Sequence, residues 1–340
     1  MIRRFVHLIV DDLNSSYTLR RIDTTPLFAG ARKNLGMPIA RPPPRPVVCF
    51  DATGRNAYHD QTEFFLLGSK IVSISKNRRT IMYDTSTSTI CAGPSLRHSK
   101  GLDPAWAAVQ GKLYLVNAYR TDDYNKPCFE ALRFDGQSRD WVWELLPSPT
   151  FSHGPFEHLT MIISFAAAGD GRIWVSTRTA TRDEGTYTFD ITAATWRKEG
   201  DWALPFQGQL QYIPDYNLCF GFCKESSNLC TADLIAAGGK ASEEPPRHVD
   251  VWEDFDGYDG AKGWHLAGSY LTYLGSGRFC VTRFYDTRRT ECYMPLCDVA
   301  VMTGVEVKHS SSSAGELQLT KRASRCYKFA KGSTMSGWAF

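Results

Sequence analysis

The chain has 340 residues, 43% of them hydrophobic and 13% aromatic, with 39 basic and 36 acidic side chains for a formal charge of +3. That supplies a large core, and closed β architectures use such lengths as one domain. A charge this close to balance lacks the concentrated basic face that nucleic acid or an anionic membrane surface needs, so neither is expected as a partner. No apolar run approaches the ~18 residues of a membrane-spanning helix.

The N-terminus resembles a targeting segment only briefly. Its apolar stretch is short, and Asp11 and Asp12 break the acid-poor pattern of transit peptides, so residues 5–10 read as a first strand. Residues 17–23 read as its hairpin partner. Residues 41–47 are a stiff proline-rich connector. From there one pattern recurs: an apolar strand, a polar turn, then a second strand ending in an aromatic or aliphatic residue and an aspartate. Residues 69–74 lead to Tyr83 and Asp84, with Ile90 six residues on. Residues 111–116 lead to Phe134 and Asp135, then Trp141. Residues 171–176 lead to Phe189 and Asp190, then Trp196. Weaker copies are residues 5–10 with 17–23, ending at Asp23, residues 217–222 with 230–233, and residues 277–282 with 299–303.

Alternating apolar and polar residues mark half-buried strands, and a strand pair cannot bury both faces alone, so copies must stack or ring. The aspartate carboxylate suits the capping of a turn. The later tryptophan is large enough to fill the space between neighbouring sheets. Successive aspartates lie 61, 51, 55 and 43 residues apart, near the ~40–50 residues of a propeller blade. The expected fold is therefore all-β. It is a single kelch-like β-propeller over residues 1–340, with about six degenerate blades, five or seven being the alternatives. Asp23, Asp84, Asp135, Trp141, Asp190 and Trp196 are its packing residues. Residues 238–247 and 308–315 are mobile loop insertions. The strand-like runs at 316–320 and 324–329 are expected to pair with the N-terminal segment and close the ring.

The opening Arg3, Arg4, Phe5, Val6, His7, Leu8, Ile9 and Val10, followed by residues 17–23 and by Leu27 and Phe28, resembles the start of a grass-plant family. That family is domain-of-unknown-function family 1668, a divergent kelch-like group, and the resemblance covers nearly the whole chain. It implies the propeller and a plant source, and no activity. The kelch double glycine is absent: Val116, Asn117 and Ala118 stand in its place.

Groups that suggest chemistry fall short of a known pattern. His153 and His158 with Glu157 suggest a metal or an acid–base pair, but their spacing is five, and Gly154 and Pro155 disfavour a helix. Cys219, Cys223 and Cys230, with Cys292 and Cys297, match no zinc framework and read as buried thiols of a reducing compartment. Asp122 and Asp123 make an acidic turn, and Asp254, Asp256 and Asp259 lack the terminal glutamate of a calcium loop. No cofactor and no metal are expected. The leading expectation is a monomeric, cytoplasmic or nuclear, non-enzymatic protein-interaction module whose partner-binding residues are Trp252, Phe255 and Tyr258. The alternative is a propeller that holds a small ligand or sugar, or an enzyme site, at its central channel.

Overall fold

A computed structural model describes residues 2–12, 16–29, 39–51, 62–101, 103–118, 127–152, 160–179, 183–237, 244–246, 248–250, 264–287, 297–309, 317–329 and 337–340. In chain order the elements are β1 (Phe5–Asp12), β2 (Ser16–Asp23), α1 (Thr25–Phe28), β3 (Ala40–Arg41), β4 (Val48–Asp51), β5 (Thr62–Leu67), β6 (Lys70–Ser75), β7 (Thr80–Asp84), β8 (Thr89–Ala92), β9 (Ala105–Val109), β10 (Lys112–Val116), β11 (Phe129–Asp135) and β12 (Asp140–Leu145). They continue as β13 (Met161–Ala167), β14 (Arg172–Arg178), β15 (Asp183–Asp190), β16 (Thr195–Gly200), β17 (Phe206–Ile213), β18 (Leu218–Cys223), β19 (Leu229–Ala232), α2 (Leu234–Ala237), β20 (His248–Asp250), β21 (His265–Gly275), β22 (Arg278–Asp286), β23 (Val299–His309), β24 (Leu317–Lys328) and β25 (Gly337–Ala339). They divide between two compact units, Met1–Tyr58 with Val251–Phe340, and His59–Asp250.

The fold is all-β, as the sequence pattern predicts. The described strands form six antiparallel sets of four, each with the up-and-down order of a propeller blade. Four lie in the second unit: β5–β8, β9–β12, β13–β16 and β17–β20. Each recurring sequence pattern supplies the second and third strands of its set, for example β10 and β11. Within this unit the first strands are neighbours, with β9 against β5, β13 and β17. β13 and β17 pair in parallel and join two of the sets edge to edge.

Successive sheets of the second unit stack face on face. On β10, Leu113 and Leu115 pack with Phe65, Val72 and Ile74 of the preceding sheet. The alternate residues Tyr114 and Val116 pack with Ile173, Val175 and Phe189 of the following one. Trp174 of β14, fully buried, then meets Leu210, Cys219 and Cys230. Period-2 alternation sends neighbouring residues to opposite faces, so a strand covered on both sides must be apolar at nearly every position. Burying one such large side chain contributes roughly 1.5–3 kcal/mol.

In the first unit β21–β24 make one sheet, extended by β3 at the outer edge of β24. The other sheet has the order β25-β1-β2-β4. Both sequence extremes thus share a sheet, but through a different segment from the expected one. Of the runs at 316–320 and 324–329, residues 317–320 and 324–328 belong to a single strand, β24, that continues the meander against β23. Among the described residues its strand pairing with the N-terminal region is through Ala40 and Arg41, and it also packs against α1. The partner of β1 is instead the three-residue β25. Trp338 sits edge-on to Tyr17, and the backbones of His7 and Phe340 exchange two hydrogen bonds, of 2.9 and 3.0 Å. Lys308 and His309, expected in a loop, extend β23 opposite Gln318 and Leu317. Residues 310–315 lie outside the described residues. Of the connector at 41–47, Arg41 belongs to β3, and Arg20 Nη1 donates to the Pro44 carbonyl at 2.5 Å.

Two predictions follow from the docking of β25. A Cβ on Gly337 would lie 2.4 Å from Cε1 of Phe284, a ring that is fully buried. Gly337→Ala is therefore expected to destabilise by about 1–3 kcal/mol, the usual scale of overpacking. Gly268→Ala is the control, since its Cβ would meet nothing closer than 3.6 Å; comparing urea midpoints checks both. Beside β25, burial, followed by the charges of Arg3 and Arg21, holds the His7 imidazole down at about 4. Its ordinary value is near 6.5. The unfolded chain then binds the proton first, so stability is intact above pH ~6.5 and falls as pH drops towards 4. Between pH 7 and 4.5 the native chain is expected to lose about 2 kcal/mol more than His7→Gln, read as the difference between their urea-midpoint profiles.

Candidate functional site

The recurring aspartates hold turns. Asp84 accepts from the backbone N–H and hydroxyl of Ser86, at 2.9 and 2.5 Å, and from Lys70 Nζ. Asp135 does the same with Ser138, and Asp190 with the N–H groups of Thr192 and Ala193. Asp23 accepts from Thr25 N and Arg4. Asp233, without an aromatic before it, accepts from Ile235 N and Ala236 N. Hydrogen bonds to the ionised form hold the Asp23, Asp84, Asp135 and Asp190 carboxyls low: Ser138 brings Asp135 to about 2, and Arg4 depresses Asp23 further. The four predicted aspartates sit on four different strand sets.

Trp141 and Trp196 are partly buried and pack between sheets. Trp141 lies edge-on to Phe134. Trp196 rests on Phe129, Phe151 and Phe189 and donates from Nε1 to the Pro147 carbonyl at 2.8 Å. Ile90, at the same offset, is 56% exposed and fills nothing. The deeper plug of that interface is Trp143, whose Nε1 donates to the Pro94 carbonyl at 3.1 Å. Residues 153–159, 119–126 and 251–263 lie outside the described residues, and with them His153, Phe156, Glu157, His158, Asp122, Asp123, Trp252, Asp254, Phe255, Asp256, Tyr258 and Asp259. Cys219, Cys223 and Cys230 share one buried cluster. Among the described residues no three His, Cys, Asp or Glu side chains gather as metal ligands.

What the structure does assemble is a pocket of about 270 Å³ in the second unit. Its apolar wall comes from Phe65 on β5, Ile74 on β6, Leu115 on β10, and Leu96 and Pro104 on the connection from β8 to β9. Polar groups line the rest: Glu63, Ser75, Lys76, Ser99 and Lys100. Lys76 and Ser99 are exposed, and Lys100 is buried.

The pocket owes its shape to one misfit in the pattern. Glu130 on β11 is opposite Leu115, so it shares the face that packs against β5–β8, and it is fully buried. A bare carboxylate there would cost several kcal/mol. The connection after β8 bends inward and satisfies it. Arg97 N and His98 N donate to the two oxygens at 3.0 and 2.9 Å, and Lys100 Nζ donates at 2.6 Å. Arg97 Nε also donates to the Trp143 carbonyl, and Arg78 Nη1 to that of Arg97. Burial pushes the Lys100 ammonium down, while the hydrogen bond and charge of Glu130 oppose that fall. Lys100, held by Glu130 behind it, is a fixed part of the wall, and the groups open to a ligand are the apolar floor, Ser75, Lys76 and Ser99. None of this was singled out from sequence, although an acid inside the apolar run at 128–132 was a visible signal.

Lys100→Met would strand the Glu130 charge and is expected to cost about 3–5 kcal/mol in equilibrium unfolding. Lys100→Met with Glu130→Gln should recover part of that loss, because the neutral amide needs no counter-charge and its carbonyl still accepts from the backbone.

No curated protein matches the sequence. In overall structure the chain is similar to the β-propeller domain of Cps50 (Swd1) from a Myceliophthora thermophila source, at 9% identity, covering 95% of this chain and 96% of that one with a TM-score of 0.43. It is similar to Kluyveromyces lactis Hsv2 at 8% identity, with 92% and 80% covered and a TM-score of 0.41. The Malassezia sympodialis allergen Mala s 1 aligns at 13% identity, with 77% and 78% covered and a TM-score of 0.41. The family model described as protein of unknown function (DUF1668) matches residues 3–327, and the chain belongs to that family.

Proposed function

We propose that the six sheets make one kelch-type propeller domain that acts as a non-enzymatic protein-recognition module, and that the pocket lined by Lys100, beside its ion pair with Glu130, accepts an anchor side chain of the partner. The observation that carries this reading is the pocket's composition and size. At about 270 Å³ it is at or below the small end of the ~300–1,000 Å³ typical of sites for whole small molecules. It suits one aromatic or branched aliphatic side chain. Interfaces concentrate their energy where such an anchor enters a desolvated pocket. The exposed Lys76 at the rim favours an acidic residue beside the anchor. Trp252, Phe255 and Tyr258 are proposed as a second contact, by their aromatic character alone. The hydroxyls of Ser75 and Ser99 favour a second reading, a small polyhydroxylated ligand in the same pocket.

The test is selection of displayed peptides on the folded chain, with Ser99→Trp as counter-target. Ser99 is exposed, so the indole should fill the pocket without disturbing the core. Enrichment of peptides that carry a large apolar residue next to Asp or Glu, bind the native chain and lose at least tenfold in affinity for Ser99→Trp, supports the reading. Enriched peptides that bind Ser99→Trp equally well but fail on a Trp252, Phe255 and Tyr258 triple alanine variant would move the site to residues 252–258. A sugar that raises the melting temperature of the native chain and not of Ser99→Trp would establish the second reading instead.

A further inference from the structure

The connection from β3 to β4 runs Arg41, Pro42, Pro43, Pro44, Arg45, Pro46, and its backbone is set by that sequence. Each proline ring fixes its own φ at about −65°. Arg41, Pro42, Pro43 and Arg45 each precede a proline, which drives them into the extended region. The segment therefore winds as polyproline II, a left-handed helix of about three residues per turn with no internal hydrogen bonds. Both of its ends are anchored in the first unit. Ala40 and Arg41 pair in parallel with Cys326 and Tyr327 at the outer edge of β24. Val47 N donates to the Leu19 carbonyl at 2.7 Å, and Val48 lies opposite Leu19 of β2. Between the two anchors, Arg20 Nη1 holds the Pro44 carbonyl.

A helix with this period has three edges. Pro43 is half-buried, so the edge it shares with Pro46 is the one turned towards the protein. The other two edges, Arg41 with Pro44 and Pro42 with Arg45, are exposed. Among the described residues no hydrogen bond or ion pair engages the side chain of Arg41 or Arg45. Ile39 and Val47 flank the ladder and are 82% and 47% exposed, so folding leaves apolar surface uncovered at both of its ends. We propose that residues 41–46 are a docking segment for a proline-recognition domain, one whose aromatic-lined groove takes Pro42 and Pro44 and whose acidic rim takes Arg41 and Arg45. Such grooves select the polyproline II shape because it is formed before binding. Here the folded chain fixes that shape at both ends, so the ordering cost that a free peptide meets on binding is already met. The two guanidiniums, one at each end of the open edges, present planar forks that match carboxylates. Blocking the edge of β24 against further pairing would need the prolines alone; it would not need two unpaired arginines on the open edges. The segment belongs to the first unit and the pocket to the second, so neither site needs the other.

The test probes an array of purified SH3, WW and EVH1 domains with the labelled full chain, then measures the affinity of each binder by fluorescence anisotropy. The expected result is a domain that binds the native chain and loses at least tenfold in affinity when Pro42→Ala and Pro44→Ala are combined. Arg45→Glu, a single exposed change that leaves every proline in place, should cost a similar factor. Ser99→Trp, in the pocket of the other unit, should bind as the native chain does, and unchanged urea midpoints establish that the variants are folded. A native chain that binds no domain of the array, or binding untouched by the two proline substitutions, overturns the proposal. Binding lost with Arg45→Glu and kept by the proline variant also overturns it, because that pattern marks an acidic partner that does not read the ladder.

Discussion

The middle strands of this protein are buried on both faces, and most of the structure answers to that constraint. A sheet with one wet face needs an apolar residue at every second position. A sheet stacked between two others needs one at almost every position, and its polar backbone must be closed by its own neighbours. β10, β14, β18 and β22 meet the requirement with Leu-Tyr-Leu-Val, Ile-Trp-Val, Cys-Phe-Gly-Phe-Cys and Phe-Cys-Val runs. The turns between such strands emerge at the sheet edges, where orphan N–H groups need acceptors. The aspartates that close β2, β7, β11 and β15 supply them, so one residue type recurs at one structural position for one reason.

The same constraint makes any polar intruder consequential. Glu130 faces a neighbouring sheet instead of solvent, and the chain answers with two backbone donors and an ammonium. Replacing such a pair with apolar groups of the same shape is often no less stable, so its presence is better explained by geometry than by stability. It holds the connection between β8 and β9 against the sheet and leaves the pocket open beside it. A purely apolar solution would let that connection collapse onto Leu115 and Phe65. The pocket is therefore a by-product of a carboxylate that had to be satisfied locally.

These physical differences decide what could be read from sequence. Second and third strands were legible because two-sided burial writes unbroken apolar runs and because the capping aspartate follows at a fixed offset. First strands were not. β9 is Ala-Trp-Ala-Ala-Val and β17 has glutamine at 207, 209 and 211 with Gly208 among them, so small and polar side chains weaken their strand signal. β25 was illegible for another reason. Three residues carry no periodicity, and its docking combines backbone pairing with β1, which any sequence could make, with the missing Cβ of Gly337 and the ring contact of Trp338 with Tyr17. The pocket escaped notice because Glu63, Lys76, Ser99 and Leu115 come from separate segments that only the stacking of sheets brings together. Trp143 was passed over in favour of Trp141 because the aspartate offset points to the outer tryptophan, whereas pairing with Leu132 carries the inner one into the interface.

The two sites inferred here share a logic. Each sits where the chain leaves the regular meander: the connection between β8 and β9 around the pocket, and the proline-rich connection between β3 and β4. Regular strands are largely committed on both faces and have few polar groups to spare for a ligand. Connections carry backbone groups that the sheets do not consume, and a rigid scaffold holds them in place. In the first case the backbone donors are spent on Glu130 and the result is a shaped wall. In the second the prolines remove most of the donors, and the result is an extended ladder that keeps two of its edges outward. Function in such a fold is decided by how the backbone of a few connections is used, while the strands set only where those connections stand.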